Sequence, residues 1–286
     1  MKAVYKVSRK EPGAGFFSNW FWLLGYVCMY RSEGKTVMID TIRQANLYNS
    51  KNIFKFKKKG YWDEVFQVNK CSDEYIDIVT DSYPSEFVPK KISGEDVVFN
   101  IKRLEIFRAA IKTHASLRVN IEKKINAKYL NIDFSKTLGI QYRAADKNSE
   151  RTDHKINQSL DDYLLKANEL LKENNYENVF LATDNQYALK KCQKIFSEKL
   201  ICNDSNRVRD QYAARGVHDS RFNKIIGYFS DVNLQNAFDV VEDAVMLSRC
   251  DSMLCGYSNV SDAAICLKEE GYKDLILMGN GEIIFE

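Results

Sequence analysis

The alternation of strand-like and helix-like segments after residue 137 constrains the fold more than any other feature of the sequence. Short apolar runs of four or five residues are separated there by longer amphipathic stretches. Strands that alternate with helices imply a parallel sheet with helices on both faces, because each helix carries the chain back to the start of the next strand. We therefore predict an α/β fold for this half of the chain.

Signals at the segment ends locate the predicted elements. Ser159 followed by Asp162 resembles a capping box, so a helix is expected to open there. The predicted strands are Leu138–Tyr142, Val179–Ala182, Lys199–Cys202, Ser252–Cys255 and Asp274–Met278. The other predicted helices are Gln186–Phe196, Ala237–Arg249 and Asp262–Glu270.

The first third of the chain predicts a second β-loop-α-β unit. Its predicted elements are the strand Ala3–Val7, the helix Phe17–Ser32, the strand Thr36–Asp40 and the helices Asn100–His114 and Leu117–Lys128. Residues 41–98 carry no clear pattern. Two such units predict two Rossmann-like domains, 1–130 and 131–286, with the ligand site in the cleft between them.

Composition excludes several classes of protein. Hydrophobic residues make up 45% of the 286 residues, which is too many for a disordered chain. The pI of about 8.3 is too low for a strongly basic coat protein, so no nucleic-acid partner is expected. The start lacks the apolar core of a signal peptide, and the apolar run Phe16–Tyr30 is shorter than the ~20 residues that span a membrane. A soluble protein is expected.

Cysteine and histidine usage indicates a reducing compartment and no metal site. The seven cysteines are widely spaced and form no C-x-x-C, and the three histidines form no H-E-x-x-H. Buried free thiols are therefore expected in place of disulfides or zinc ligands. We expect a cytoplasmic protein without a metal or another cofactor.

Charge is distributed unevenly along the chain. Residues 1–130 contain 23 lysines and arginines against 14 acidic residues, whereas residues 131–286 contain 19 against 25. Five lysines fall within Lys51–Lys59. They either keep an exposed strand edge from pairing with other chains or face an anionic partner, such as the inner surface of a membrane.

Charged residues follow the first strand of the second half directly. Arg143, Asp146 and Lys147 come after Leu138–Tyr142, at the carboxyl end of a parallel strand, where such folds bind ligands. Arg143 is suited to binding two phosphate oxygens at once, and Lys147 adds a point charge. A solvated loop with an internal Asp–Lys pair explains the same residues equally well.

Three more positions allow both a structural and a functional interpretation. Asp184 follows the next strand and is expected to cap the helix after it. Asp243 lies within an apolar helix, so its carboxylate requires either an arginine of the domain or the N–H groups of a nucleobase. Ser258 and Asn259 precede a helix whose free N–H groups suit an anion, although Ser261 is expected to cap that helix.

Several sequence blocks resemble one enzyme family. Gly139–Lys147 resembles the pattern G-[IV]-H-x-R-[RG]-x-D-K of the α1,6-, α1,2- and protein O-fucosyltransferases, the nodulation type included. Further similar blocks are Gly15–Asn19, Leu117–Asn120, Phe180–Asp184, Gly216–His218, Asp243–Asp251 and Gly256–Asn259. They occur in the family's order across residues 13–262.

The resemblance implies a GT-B fold, with two facing Rossmann-like domains, mainly parallel sheets and the nucleotide sugar held by the second domain. It implies inverting, metal-independent transfer of fucose from GDP-fucose to a glycan acceptor. Arg143 would hold the diphosphate, Lys147 would assist the leaving group, Asp243 would bind guanine, and Ser258 would meet a phosphate. The other donor-site residues implied are Gly15, Asn19, Gln141, Asp184, His218 and Asn259.

The sequence departs from the family pattern at three positions. Gln141 stands where the family has histidine, and Ala144 replaces a second basic residue. Glu150 lies one residue before the family's acidic position, so Asp146 and Asp153 are alternative general bases. These departures leave open another nucleotide-sugar donor, or a catalytically inactive binding protein. A metal-dependent GT-A enzyme would need a D-x-D after an apolar strand, and none occurs there.

Overall fold

The protein consists of three β-sheets and the helices that cover them. The computed structural model describes residues 4–9, 15–41, 48, 60–67, 75–80, 82–143, 158–205, 207, 232–279 and 281–286. Those residues form eleven strands and eight α-helices, and two of the three sheets are entirely parallel. The α/β prediction is confirmed.

The first sheet contains the predicted β-loop-α-β unit. Its parallel strands are β1 (Val4–Arg9), β2 (Thr36–Ile39) and β3 (Ile76–Thr80), in the order β2-β1-β3. Helix α1 (Phe16–Ser32) returns the chain from β1 to β2 and is buried on nearly every side. Its aromatic side chains pack against those of the short helix α2 (Tyr61–Val65), which explains why its sequence has no polar face.

Residues 90–128 form a hairpin and two helices. Strands β4 (Lys90–Ser93) and β5 (Asp96–Phe99) pair in antiparallel fashion, in the segment where the sequence carried no clear pattern. Helix α3 (Ile101–His114) is capped by Asn100, whose side chain accepts from the Arg103 N–H. Helix α4 (Val119–Lys128) follows. No helix of the described residues is both long and apolar enough to cross a membrane.

The largest sheet lies in the second half and has five parallel strands in the order β10-β9-β6-β7-β8. The strands are β6 (Thr137–Tyr142), β7 (Asn178–Thr183), β8 (Leu200–Ile201), β9 (Ser252–Cys255) and β10 (Leu275–Leu277). The helices are α5 (Leu160–Asn174), α6 (Gln186–Phe196), α7 (Val232–Arg249) and α8 (Asn259–Leu267). All five predicted strands and all four predicted helices are present.

Successive residues of β6 alternate between the two faces of this sheet. Leu138 and Ile140 belong to the core formed with α5 and α6. Gly139 faces α7, where an added Cβ would lie 3.0 Å from Leu247 and 3.2 Å from the sulfur of Cys250. The small residue therefore allows the helix to pack closely on the strand.

The predicted capping box of α5 is confirmed. Ser159 accepts from the Asp162 N–H, and the Asp162 carboxylate accepts from the Ser159 N–H at 2.9 Å. The helix ends at Asn175, which takes the left-handed conformation with φ of 55°. Both ends of α5 are thus fixed by local sequence signals.

The last strand joins the hairpin from the first half. Strand β11 (Ile283–Phe285) pairs in parallel with β5 and completes a third sheet, β11-β5-β4. The segment before it runs against the backbone of Glu95. A Cβ at Gly281 would lie 1.7 Å from the Glu95 carbonyl oxygen and 2.7 Å from Oη of Tyr257. Only glycine fits at this position.

We predict that Gly281→Ala destabilises the protein, because the methyl group must displace backbone atoms. Overpacking of this kind costs about 1–3 kcal/mol. In a chain of this size each kcal/mol lowers the melting temperature by roughly 2–4 °C, measurable by calorimetry. Gly271→Ala is the matched control, since an added Cβ there has no neighbour within 4 Å. Equal melting temperatures for the two variants would contradict the steric argument.

Candidate functional site

The strand order of the large sheet locates a ligand crevice. Strand β6 is central, with β7 and β8 added on one side and β9 and β10 on the other. The connections that leave β6 and β9 therefore run in opposite directions, which opens a crevice at the carboxyl ends of these two neighbouring strands. Open parallel sheets bind ligands at such a switch point.

Helix α8 begins at this crevice. Ser258 is its N-cap, and its hydroxyl accepts from the Val260 N–H at 3.2 Å. The expectation that Ser261 caps the helix is wrong, because Ser261 lies inside the first turn and donates to the Gly256 and Ser258 carbonyls. The helix starts at Asn259, and the positive end of its dipole lies where β9 ends.

Arg143 and Asp184 meet at the ends of β6 and β7. The sequence suggested that Asp184 caps α6, and this is wrong. The cap is Asn185, whose side chain accepts from the Ala188 N–H at 2.8 Å. The Asp184 carboxylate instead lies 3.8 Å from Nε of Arg143, and both side chains are partly exposed. The two side chains thus form an ion pair at the carboxyl ends of these strands.

Gln141 contributes a buried amide to the same edge. The side chain is 4% exposed and lies on the α7 face, because it is two residues from Gly139 along β6. Its Oε1 has no hydrogen-bond partner in the part of the chain that the structure describes. A buried acceptor of this kind usually receives a hydrogen bond, so a ligand donor or an ordered water is expected here.

Asp243 lies at the level of Gln141. Helix α7 runs antiparallel to β6, since its end meets the start of that strand, where the Asp251 N–H donates to the Thr137 carbonyl. Asp243 is four residues before Leu247, or about 6 Å along the helix axis. Gln141 is two residues beyond Gly139, about 6.6 Å along the strand. Leu247 adjoins Gly139, so both polar side chains lie near the carboxyl edge.

A buried network holds the Asp243 carboxylate. Nδ2 of Asn203, just after β8, donates to Asp243 Oδ1 at 2.8 Å, and Arg207 donates to the Asn203 backbone carbonyl at 2.8 Å. Burial raises the pKa of Asp243 well above its usual range, and the charge of Arg207 opposes this shift. The direct partner is thus an amide, and an arginine of the same domain acts on the carboxylate through its charge.

Two polar residues near Asp243 were not singled out from the sequence. Asn203 lies in a loop and is recognisable only through its contact with Asp243. Asn236 lies two turns before Asp243 on α7, hence on the same face, and is 8% exposed. Its Nδ2 has no partner among the described residues. The seven-residue spacing of Asn236 and Asp243 was the available signal.

Helix α1 supplies the two expected residues of the first half. Gly15 is the exposed N-cap of α1, and its carbonyl accepts from the Ser18 and Asn19 N–H groups. Asn19 is buried within the helix. Helix α1 packs against α8, so both helices belong to one core cluster. The distance from Gly15 or Asn19 to the crevice residues therefore depends on this packing.

Other expected site residues lie outside the described residues. These are Lys147, Glu150, His218, the alternative bases Asp146 and Asp153, and the lysines of Lys51–Lys59. Their roles stay predictions. Within the described residues, no group of three histidine, cysteine, aspartate or glutamate side chains could hold a metal ion.

Comparison with known proteins identifies the architecture. No protein-family model and no curated protein matches the sequence. The structure is similar to NodZ α-1,6-fucosyltransferase soaked with GDP-fucose, with a TM-score of 0.54, 15% identity and 93% of each chain covered. It is similar to the fucosyltransferase NodZ from Bradyrhizobium, with a TM-score of 0.52 and 16% identity over 92% of this chain and 93% of that one.

A third similar structure is POFUT1 in complex with GDP, with a TM-score of 0.56 and 10% identity over 98% of this chain and 99% of that one. The chain has the GT-B fold. At these low identities the likeness concerns the fold, and it extends over nearly the whole length of each GT-B neighbour. The expected GT-B architecture is therefore confirmed.

We predict that Asp243→Asn stabilises the protein at neutral pH. The pKa of an aspartate is about 3.9 in an unfolded chain and is raised here on folding, so the unfolded state gains by ionising as the pH rises above that value. Asparagine keeps an acceptor for Asn203 and removes this penalty. A gain of roughly 0.5–2 kcal/mol is expected at neutral pH, falling to nothing below about pH 4.

Thermal melts of parent and variant across this pH range measure the effect. The control is Glu105→Gln, which removes an exposed carboxylate from α3 and should leave stability unchanged at every pH. A stability difference between Asp243→Asn and the parent that does not vary with pH would contradict the raised pKa of Asp243.

Proposed function

We propose that this chain is an inverting, metal-independent glycosyltransferase that moves fucose from GDP-fucose to a glycan acceptor. The observation that carries the proposal is the convergence of Gln141, Arg143, Asp184 and Asp243 with the start of α8 at the switch point of a GT-B fold. Each of these features was expected at the donor site from the sequence blocks. Of the similar structures, the NodZ crystal was soaked with GDP-fucose and POFUT1 is in complex with GDP.

The guanine end of the donor would bind between α7 and β6. Guanine presents N–H donors on its N1 and N2 edge. The Asp243 carboxylate and the Gln141 oxygen, which has no partner among the described residues, are acceptors at one level of the crevice. Buried acceptors discriminate strongly against bases without matching donors, because the mismatch leaves them unpaired. The donor base is therefore a specific element of the proposal.

The diphosphate would bind between Arg143 and the start of α8. A guanidinium contacts two phosphate oxygens in parallel, and the N–H groups of a helix start favour the same charge. When the bond from the sugar to the phosphate breaks, negative charge builds up on the departing GDP. Arg143 and the helix dipole would stabilise that charge in place of a metal.

The acceptor hydroxyl would attack the anomeric carbon from the face opposite to GDP, which inverts the configuration. The new bond joins the acceptor oxygen to the sugar, and the proton of the hydroxyl passes to a carboxylate base. Glu150, Asp146 and Asp153 are the candidates for this base, with Lys147 acting at the leaving group. The acceptor would approach from the side of α1, where Gly15 opens the helix.

The second candidate is a binding protein, or a transferase with another nucleotide-sugar donor. Gln141 in place of the family histidine and Ala144 in place of a basic residue favour it. Both alternatives keep the nucleotide crevice. The binding protein would differ from the first proposal in turnover and the other transferase in base selectivity, and the experiments below measure both.

We also propose a cytoplasmic location. The six described cysteines are free, and burial raises the pKa of the thiols of Cys28 and Cys192 to about 11 and about 12. Such thiols are unreactive and suit a reducing compartment. A stoichiometric disulfide in the native protein would contradict the location.

GDP should raise the melting temperature, whereas UDP and CMP should not, and EDTA should make no difference. A ligand at ~100 times its dissociation constant stabilises the folded state by about 2.7 kcal/mol. Differential scanning fluorimetry with each nucleotide, with and without EDTA, measures this. Equal shifts with UDP would exclude the guanine contact, and a shift that EDTA abolishes would exclude metal independence.

Arg143→Lys should lose most transferase activity although it keeps the charge, because lysine cannot form the two parallel contacts to phosphate. Losing one such donor typically lowers kcat by about 10²–10³. The measurement is fucose transfer, or GDP-fucose hydrolysis where no acceptor is known. Arg103→Lys, an exposed position on α3, is the control. Full activity in folded Arg143→Lys would remove the arginine from the mechanism.

A further inference from the structure

Lys90 of β4 reaches the first turn of α8 from the other half of the chain. Its ammonium donates to Oδ1 of Asn259 at 2.6 Å and forms an ion pair with Asp262. The ring of Phe21 on α1 lies 4.8 Å from the same ammonium. The Lys90 and Asp262 side chains are only 13% and 10% exposed. The cation is therefore held by buried contacts with two helices.

A lysine at this place runs against the electrostatics of a helix start. The positive end of the α8 dipole favours a carboxylate such as Asp262 and disfavours a cation. At the other end of α8 the dipole is satisfied in the ordinary way, because Arg108 donates to the carbonyls of Ile265 and Cys266 at 3.2 Å. The helix dipole thus accounts for Asp262 and for Arg108, whereas Lys90 supplies the counter-charge of the buried Asp262 carboxylate.

The same ion pair changes the charge that an incoming anion would meet at the start of α8. An unpaired Asp262 carboxylate in the first turn would repel phosphate oxygens at the start of the helix. The carboxylate is deeply buried, which raises its pKa, and the nearby Lys90 charge opposes that shift and favours the ionised form. The ammonium also donates to the oxygen of the Asn259 amide, so that acceptor is already engaged within the protein.

We propose that Lys90 is a positioning residue of the donor diphosphate, which keeps the start of α8 receptive to phosphate by neutralising Asp262 and orienting Asn259. This inference rests on the proposed function. It assigns part of the phosphate site to the β4–β5 hairpin, a segment for which the sequence offered no pattern. Lys90 acts through the helix and not on the sugar.

The test measures the binding of GDP and guanosine by titration calorimetry to the parent and three variants. Lys90→Met should weaken GDP binding roughly tenfold or more, because the first turn of α8 then loses a cation, and should leave guanosine binding unchanged. Asp262→Asn keeps an acceptor for Lys90 and should tighten GDP binding, again without an effect on guanosine. Lys91→Met, which removes an exposed lysine paired with Glu286, should change neither.

If Lys90→Met weakens the binding of GDP and of guanosine equally, Lys90 has a structural role only. If it weakens the binding of neither, Lys90 has no role at the donor site. Weaker GDP binding in Asp262→Asn would also overturn the inference, and this variant decides alone if Lys90→Met does not fold. A parent that does not bind GDP overturns the proposed function itself. If the parent binds GDP and the variants Lys90→Met and Asp262→Asn bind it equally well, only the role of Lys90 is overturned.

Discussion

The close packing of α7 on β6 at Gly139 is the contact on which the geometry of the candidate site depends. The distances of 3.0 Å and 3.2 Å from a hypothetical Cβ to Leu247 and Cys250 mean that a larger residue would push these side chains aside by a few tenths of an ångström. With Leu247 fixed against Gly139, one helical turn places Asp243 and two strand residues place Gln141 at the same edge. A looser helix would leave the two acceptors without a common level.

The crevice draws its remaining groups from strand ends and a helix start, which are rigid elements. Register pairs Tyr142 with Thr183 and Gln141 with Cys255, so the residues that follow β6, β7 and β9 meet without long loops. Arg143 and Asp184 are neighbours for this reason. A site on such elements keeps its polar groups oriented before a ligand arrives, which lowers the ordering penalty of binding.

Much of the second half could be predicted from its sequence, because apolar strand-like runs alternate there with stretches of helical spacing. The residues that mark the ends of these elements also lie next to them in the sequence. Gln186–Phe196 and Ser252–Cys255 have the predicted bounds, and the Ser159 box caps α5. The two wrong caps, at Asp184 and Ser261, arose because several polar residues in a row can each cap a helix; tertiary packing selected Asn185 and Ser258. Strand β11 was missed since its partner β5 is nearly two hundred residues earlier.

The partner of a charged side chain often lies far away in the sequence, so no local pattern predicts it. That partner nevertheless decides what the charged group can do. Two buried aspartates of the second half illustrate this. Asp262 is paired with a lysine, so its charge is balanced within the protein. Asp243 receives a neutral amide directly, and the arginine beyond that amide only moderates its raised pKa. A buried charge without a directly bound cation is destabilising, so folding alone does not explain Asp243. Among the described residues its direct partner is the Asn203 amide, at the edge of the sheet where we propose that the donor base binds.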